Sequence, residues 1–461
     1  MQDLSAGPLP ANISREAAEK EMHVIDHDGK IYKNIDAVFK IVEEYPRLAW
    51  LARVGRWPGI KHVLSMGYTF VAKNRHVMSG AASRLYWTKF VLGISFISGI
   101  LLSAPLWLSE RRFPLSPLFA GLSIGYPYDF ILAAGLLGAL MAIIFSSQPR
   151  RYIYVLAGLL VVAALLDQMR WQPWVYQYGA MLLALSFFSW RASDKNVQPI
   201  LNVCRLIVAT IYIWSGLHKV NEAFIHDIFP WMLQPITSHL PVALHPYLQA
   251  TGVMIPIVEM SIGIALLTSK FRNLAVLAAV GMHLSILALL GPFGQNWNSV
   301  VWPWNIAMIL FNIILFWNIA PVHFRKLVWN RNFAYHGVVL VMFGLLPVFS
   351  LFGKWDNYLS SALYSGDIAK AVLTIRPEDS TTFHKNALSG SQSNQDGELA
   401  IPISSWSFTA LNVPPYPEAR VYKDIARQAC QDGASSLKLV VERPQTIWQP
   451  GFIEQYGCAE L

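Results

Sequence analysis

From Trp87 onward the chain offers one apolar window after another, each about 20 residues long, the length needed to cross a hydrocarbon core. The windows fall near 88–109, 126–146, 151–168, 173–190, 199–217, 246–268, 272–291, 299–319 and 334–352. They predict about nine transmembrane helices, the fourth short enough to be tilted or re-entrant. Composition agrees: 54% of the 461 residues are hydrophobic and only 14% charged, where soluble domains carry about 25% charge. That deficit excludes an ordinary soluble protein and a disordered chain, and three cysteines are too few for a disulfide scaffold. A net charge of +8 in so apolar a chain points to basic loops on an anionic bilayer face and not to nucleic acid. The fold class expected is an all-α polytopic membrane protein, with a small α/β piece before the helices and a polar domain after them.

Three regions follow. Residues 1–85 are polar; MHVID followed by HDGK reads as a strand and turn, and NIDAVFKIVEEY as an amphipathic helix. The mixture of Arg53, Arg56 and Lys61 with Trp57 and Leu64 suggests a helix lying on the membrane surface between Trp50 and Tyr68. Residues 86–352 hold the spans, and residues 353–461 form a polar tail with Ser389–Gly397 as a flexible loop. With the N-terminus inside, inner loops hold Arg150, Arg151, Arg191, Lys195, Lys270, Arg272, Arg325, Lys326 and Arg331, and outer loops only Arg111, Arg112, Arg170 and Lys219. This bias predicts a cytoplasmic N-terminus, and an odd span count then places the tail outside an inner (plasma) membrane. Cys430 and Cys458 in an exported tail can pair or stand as bystanders, whereas Cys204 falls inside a span as a packing residue. No Cys/His spacing suggests a metal site.

Ionisable residues at membrane depth are expensive and are functional candidates by default. They are Asp167 at the end of the third span, Arg205 and the pair His218–Lys219 at either end of the fifth, Glu259 in the sixth and His283 in the seventh. Trp171, Asn296, Asn298, Asn305, Trp302 and Trp304 join them on the outer side. Each has a structural alternative. Arg205 can snorkel to the headgroups, Lys219 can anchor at the interface, Glu259 and His283 can bond two helices together, and the tryptophans can belong to an aromatic belt. In the functional reading they line one cavity, where a desolvated Lys219 serves as a base. His218, one position before Lys219, points about 100° away from it on a helix.

The run WSGLHKVNEAF, with LLDQMRWQPWVYQYG before it and MHLSILALLGPFGQNWNS after it, resembles the HTTM domain, the membrane region of the vitamin K-dependent gamma-carboxylase. The resemblance spans Tyr86 to Trp329. It implies that Lys219 is the base acting on a reduced quinone, that His283 corresponds to a histidine of a later span, and that the site faces outward. Trp174 stands where the carboxylase carries a histidine implicated in carboxylation; an indole cannot exchange that proton, so carboxylation itself is not expected. Residues 23–75 resemble the second half of a DCC-type thiol–disulfide oxidoreductase, but the first cysteine of this chain is Cys204. The segment is expected to dock or to complete a partner's domain.

Two functions remain open on the sequence. One is a quinone- or lipid-interacting enzyme with Lys219, His218, Asp167 and His283 doing chemistry and Trp171, Glu259, Asn296, Asn298 and Trp302 binding the ligand. The other is a non-catalytic membrane scaffold or maturation partner of a larger complex.

Overall fold

The computed structural model describes residues 22–26, 28–45, 49–58, 61, 65, 81–119, 121–122, 124–190, 197–394 and 397–461. The chain forms two units, Met1–Arg84 and Leu85–Leu461. In the first, β1 (His23–Ile25) pairs antiparallel with β2 (Ile31–Lys33), in the strand-turn order the sequence suggests. Helix α1 (Asn34–Glu43) buries Ile35 and Phe39 against Ala52 of α2 (Ala49–Gly55). Of the helix expected between Trp50 and Tyr68, the described residues show α2, and most of the stretch after it lies outside the described residues.

In the second unit every apolar window contains a helix. Among the described residues, six helical runs are long and apolar enough to cross a membrane: Ala82–Leu102 (α3), Tyr128–Phe145 (α4), Val197–His218 (α7), Val242–Leu266, Arg272–Leu290 (α10) and Ala334–Phe352. The others are shorter: α5 (Arg150–Leu166), α6 (Pro173–Ser186) and α11 (Val301–Phe316) have 17, 14 and 16 residues. At 1.5 Å per residue they reach only about 21–26 Å, below the roughly 30 Å of a bilayer core. Length alone therefore supports six spans, not nine. The shortening has local causes: Asp167 is extended and stops α5, and α6 cannot start before Pro173. Between α7 and the fourth long run lies α8 (Phe229–Thr237), and that run ends in α9 (Met254–Leu266).

The loops sort to two ends. At one end Lys89 bonds the Ser146 carbonyl, Asn202 the Lys326 carbonyl, and Asn318 the side chain of Asn273. The other end carries the C-terminal domain, and the linkers expected on the outer side all meet it. Trp406 donates to the Arg112 carbonyl, Ser116 to Asp424, and Asn412 to Ser299. Helix α7 is the axis: 83% of its apolar window is buried, against 22–50% in the other long runs.

The tail is a folded domain. Its antiparallel sheet runs β4 (Gln392–Ser393), β5 (Leu399–Pro402), β3 (Lys370–Ile375), β6 (Lys438–Arg443) and β7 (Phe452–Gly457). Two helices accompany it, α12 (Ile403–Leu411) and α13 (Ala419–Gln431), the latter burying Val421, Tyr422, Ile425, Ala426 and Ala429. Within the stretch expected as a flexible loop, Gln392 and Ser393 form β4 and pair with β5, while residues 395–396 lie outside the described residues. Cys430 and Cys458 form a disulfide, tying the end of α13 to the residue after β7. A polar latch joins this domain to the helices: Arg420 donates to Gln168 (2.7 Å) and to both oxygens of Asp356, which also accepts from Tyr416 (2.7 Å). Beside it Glu418 accepts from the Asn357 amide, and burial, then the neighbouring Asp356, pushes its carboxyl up to about 7.

Candidate functional site

Helix α7 builds the site because one of its faces stays polar. Tyr212, Ser215 and Lys219 recur at intervals of three and four, which places them on a single helical stripe. That stripe meets α9, and glycines let the two helices approach. A Cβ on Gly216 would lie 2.8 Å from the Pro256 carbonyl and the Met260 amide, and one on Gly263 would lie 2.7 Å from the Ala209 carbonyl. Such close backbone approach through small residues is the usual packing of helices in lipid.

The approach brings Glu259 to Lys219. The ammonium Nζ lies 2.8 Å from Glu259 Oε2, 2.6 Å from Ser215 Oγ and 3.2 Å from the Ser215 carbonyl, and each charged side chain is only 10% exposed. All three ammonium donors thus have an acceptor, which is what makes a buried charge tolerable. Lys219 is therefore no interfacial anchor. Nor does Glu259 bond His283, the alternative open on the sequence.

His283 belongs to a second polar chain across α7, α10 and α11. Asn312 donates to Tyr212 (2.6 Å), the Tyr212 hydroxyl lies 2.6 Å from His283 Nε2, and His283 Nδ1 lies 2.7 Å from Asn305 Oδ1. Asn305 in turn donates to the Val301 carbonyl. One tautomer serves every link: Tyr212 donates to Nε2, and Nδ1–H donates to Asn305. The ion pair and the Tyr212, His283 and Asn305 members of this chain line the same cavity of about 160 Å³, whose remaining wall is mostly apolar, with Phe224, Met232, Ile286 and Trp304 among it. Lys219, Glu259 and His283 are thus together, as expected. Tyr212, Ser215 and Asn312 were not singled out in the sequence, although the Tyr212–Ser215–Lys219 and Asn305–Asn312 spacings carry the signal.

The other candidates lie elsewhere. Asp167 is fully buried in its own cluster, 2.5 Å from Arg111 and 3.8 Å from Arg170, and accepts from the amides of Ser116 and Met169. Its lone pairs are committed to holding the loops, so it cannot support Lys219. His218 faces the other way, toward Ser350 at 3.1 Å. Trp171 lines a separate apolar groove with Tyr176 and Phe343. Asn296 has φ 49° and bonds its amide to Gly291, while Trp302 donates to the Leu290 and Trp297 carbonyls; both shape the turn after α10. Asn298 bonds Tyr364 at 3.3 Å and lines a neighbouring chamber of about 510 Å³. Arg205 does not snorkel; it is 1% exposed and donates to the Leu315 carbonyl, Gln198 and Asn202, closing the C-terminal turn of α11.

Comparison with known families gives two matches. Residues 2–81 match the family described as DCC1-like thiol-disulfide oxidoreductase. Residues 197–300 match the family described as methylamine utilisation protein MauE. No curated protein and no solved structure matches the chain. The DCC resemblance of the N-terminal segment is borne out, and that segment contains no cysteine with which to perform thiol exchange. The helices carrying Lys219, Glu259 and His283 match MauE, not the HTTM domain expected for them, and carboxylase chemistry finds no support.

Proposed function

We propose that this membrane protein binds the polar head of a lipophilic molecule, a reduced quinone or a lipid, at the Lys219–Glu259 pair and moves a proton there. The observation that carries this reading is an ion pair enclosed in an apolar cavity of about 160 Å³ at the bundle end that meets the C-terminal domain. An ammonium already paired is not a base. It becomes one when its proton passes to Glu259; the neutral amine then takes the proton of a ligand O–H. The outcome is a ligand oxyanion beside the Lys219 ammonium, with the proton on Glu259, so charge and protons balance. The Tyr212–His283–Asn305 chain fixes one wall, and the ammonium stabilises the developing negative charge as preorganised donors do.

The same proposal includes the topology. Loop alternation favours nine crossings, with the three short helices inside a locally thinned or tilted arrangement. Charge bias favours a cytoplasmic N-terminus in an inner membrane, and the Cys430–Cys458 bridge suits an oxidising outer compartment.

The test is ligand retention. Wild-type protein, Lys219→Ala and Glu259→Gln are purified in mild detergent, their organic extracts are analysed by mass spectrometry, and binding of decylubiquinol and of dioleoylglycerol is measured by thermal shift. Wild-type protein is expected to retain or bind one of these at least tenfold better than either variant. Equal binding by all three proteins refutes the proposal.

A further inference from the structure

The connection between β6 and β7, residues 444–451 (PQTIWQPG), carries an apolar pair at its tip, and neither the Lys219 site nor the latch uses it. Thr446 closes the tip: its amide donates to the Gln449 carbonyl at 2.8 Å, and its hydroxyl accepts from the Gln449 amide at 3.0 Å. Ile447 and Trp448 are thereby the two central residues of a tight turn, positions where Gly, Asn, Asp and Ser usually stand. Both face outward, 65% and 75% exposed, and the start of β7 adds Phe452 and Ile453 at 45% and 69%. Large apolar side chains grouped in this way on a domain surface mark a place where something other than water covers them.

The turn is fixed at both flanks. The Gln445 amide donates to Asp367 Oδ1 at 3.2 Å, and Arg443 Nε donates to Glu454 Oε2 at 3.1 Å across the two strands. Its tip is seated on the end of the membrane-length run Ala334–Phe352. The Ile447 amide donates to the Leu351 carbonyl at 3.0 Å, and the Trp448 ring packs on Phe352, with centroids 5.3 Å apart. That run has 19 residues and only 22% of its apolar window is buried in the protein, so most of it faces lipid. At 1.5 Å per residue it reaches about 28 Å, close to the thickness of a hydrocarbon core. Leu351 and Phe352 therefore stand at the boundary between acyl chains and headgroups, and the exposed Lys354 follows them.

We infer that the β6–β7 turn dips into the bilayer, with Ile447, Trp448, Phe452 and Ile453 in lipid at the headgroup–acyl boundary. Continuity selects this occupant: the residues that bond Ile447 and pack on Trp448 are the last of a lipid-facing helix, so the turn shares their depth. An indole is at home at that level, and the Lys354 ammonium is placed where lipid phosphates attract it. The C-terminal domain thus has a bilayer contact of its own and is not held by the helix bundle alone. The competing occupant is a second copy of the chain paired along β7, which is an edge strand.

The test measures depth on the full chain in nanodiscs of phosphatidylethanolamine and phosphatidylglycerol. A nitroxide is attached to Trp448→Cys or Ile453→Cys. Leu274→Cys on the exposed face of α10 is the lipid reference, and Ser393→Cys in β4, at the opposite edge of the sheet, is the aqueous one. Cys204 is buried and Cys430 and Cys458 are bonded, so the added thiol is the one that reacts. Power-saturation spectra compare collisions with oxygen, which concentrates in lipid, and with a neutral nickel chelate, which stays in water. The oxygen-to-nickel ratio at positions 448 and 453 is expected to be at least fivefold above that at 393 and to approach that at 274. A ratio equal to that at 393 places the turn in water and overturns the inference. Protection of both positions from oxygen and nickel alike reveals a protein contact, the second copy, and overturns it as well.

Discussion

Removing one member of the Lys219–Glu259 pair tests whether it is a desolvated ion pair. The side chains are 2.8 Å apart and 10% exposed, so water screens them little. Lys219→Met keeps the length of the side chain and deletes the charge, leaving the Glu259 carboxylate in an apolar wall. A buried pair broken on one side costs about 3–5 kcal/mol, whereas replacing both partners with apolar groups is often neutral or stabilising by about 1–4 kcal/mol. The stranded group can neutralise itself by exchanging a proton, which pulls the single-mutant cost toward the lower figure. Lys219→Met and Glu259→Leu should therefore each destabilise by about 3 kcal/mol, and the double variant by less than either. Reversible unfolding in mixed micelles by titration with SDS, followed by tryptophan fluorescence, measures the cycle. The double variant should recover stability without recovering quinol or lipid binding, since no group remains to hold a polar head. Additive single effects below about 1 kcal/mol each would show a solvated surface pair and remove the basis of the proposed site.

Two further outcomes follow from the packing around the site and from the latch. Gly216→Val drives side-chain atoms into the backbone of α9, for an overpacking cost of about 1–3 kcal/mol, and should weaken ligand binding at least tenfold by parting Lys219 from Glu259. Gly138→Val, where a Cβ meets nothing within 4 Å, is the matched control and should be close to neutral in the same unfolding and binding assays. For the latch, Glu418 holds its proton more tightly when folded, up to about 7 against an ordinary 4.5. Its contribution to stability is therefore complete below about pH 4.5, declines as pH rises toward 7 and is level above that. Amide exchange of α13 should accordingly be faster at pH 7.5 than at pH 5 after correction for intrinsic rates. Glu418→Gln should flatten most of that difference, leaving a smaller one of the same sign from Asp367, whose carboxyl burial also raises; an unchanged slope would refute the assignment.

Much of this site was legible because charge is scarce in the helices. A lysine, a glutamate and a histidine inside apolar windows stand out, and Lys219, Glu259 and His283 do share one cavity. Their pairing was not legible, because it depends on helix rotation and on which glycines permit close approach. Gly216 and Gly263 set α9 against α7, so Glu259 meets Lys219 while His283, one helix further round, meets Tyr212. Asp167 shows the opposite error. It has the same rarity as Glu259, but its partner Arg111 lies 56 residues away in a loop that no periodicity describes. Rarity identifies groups whose burial must be compensated, and either a structural cluster or a ligand site can compensate it. The difference lies in the space beside them. The Asp167 cluster meets its carboxylate with a guanidinium and backbone amides, which hold the loops together. Lys219, Glu259 and His283 instead line a cavity of about 160 Å³ between helices, and a cavity beside a compensated charge is what separates a candidate ligand site from a structural cluster.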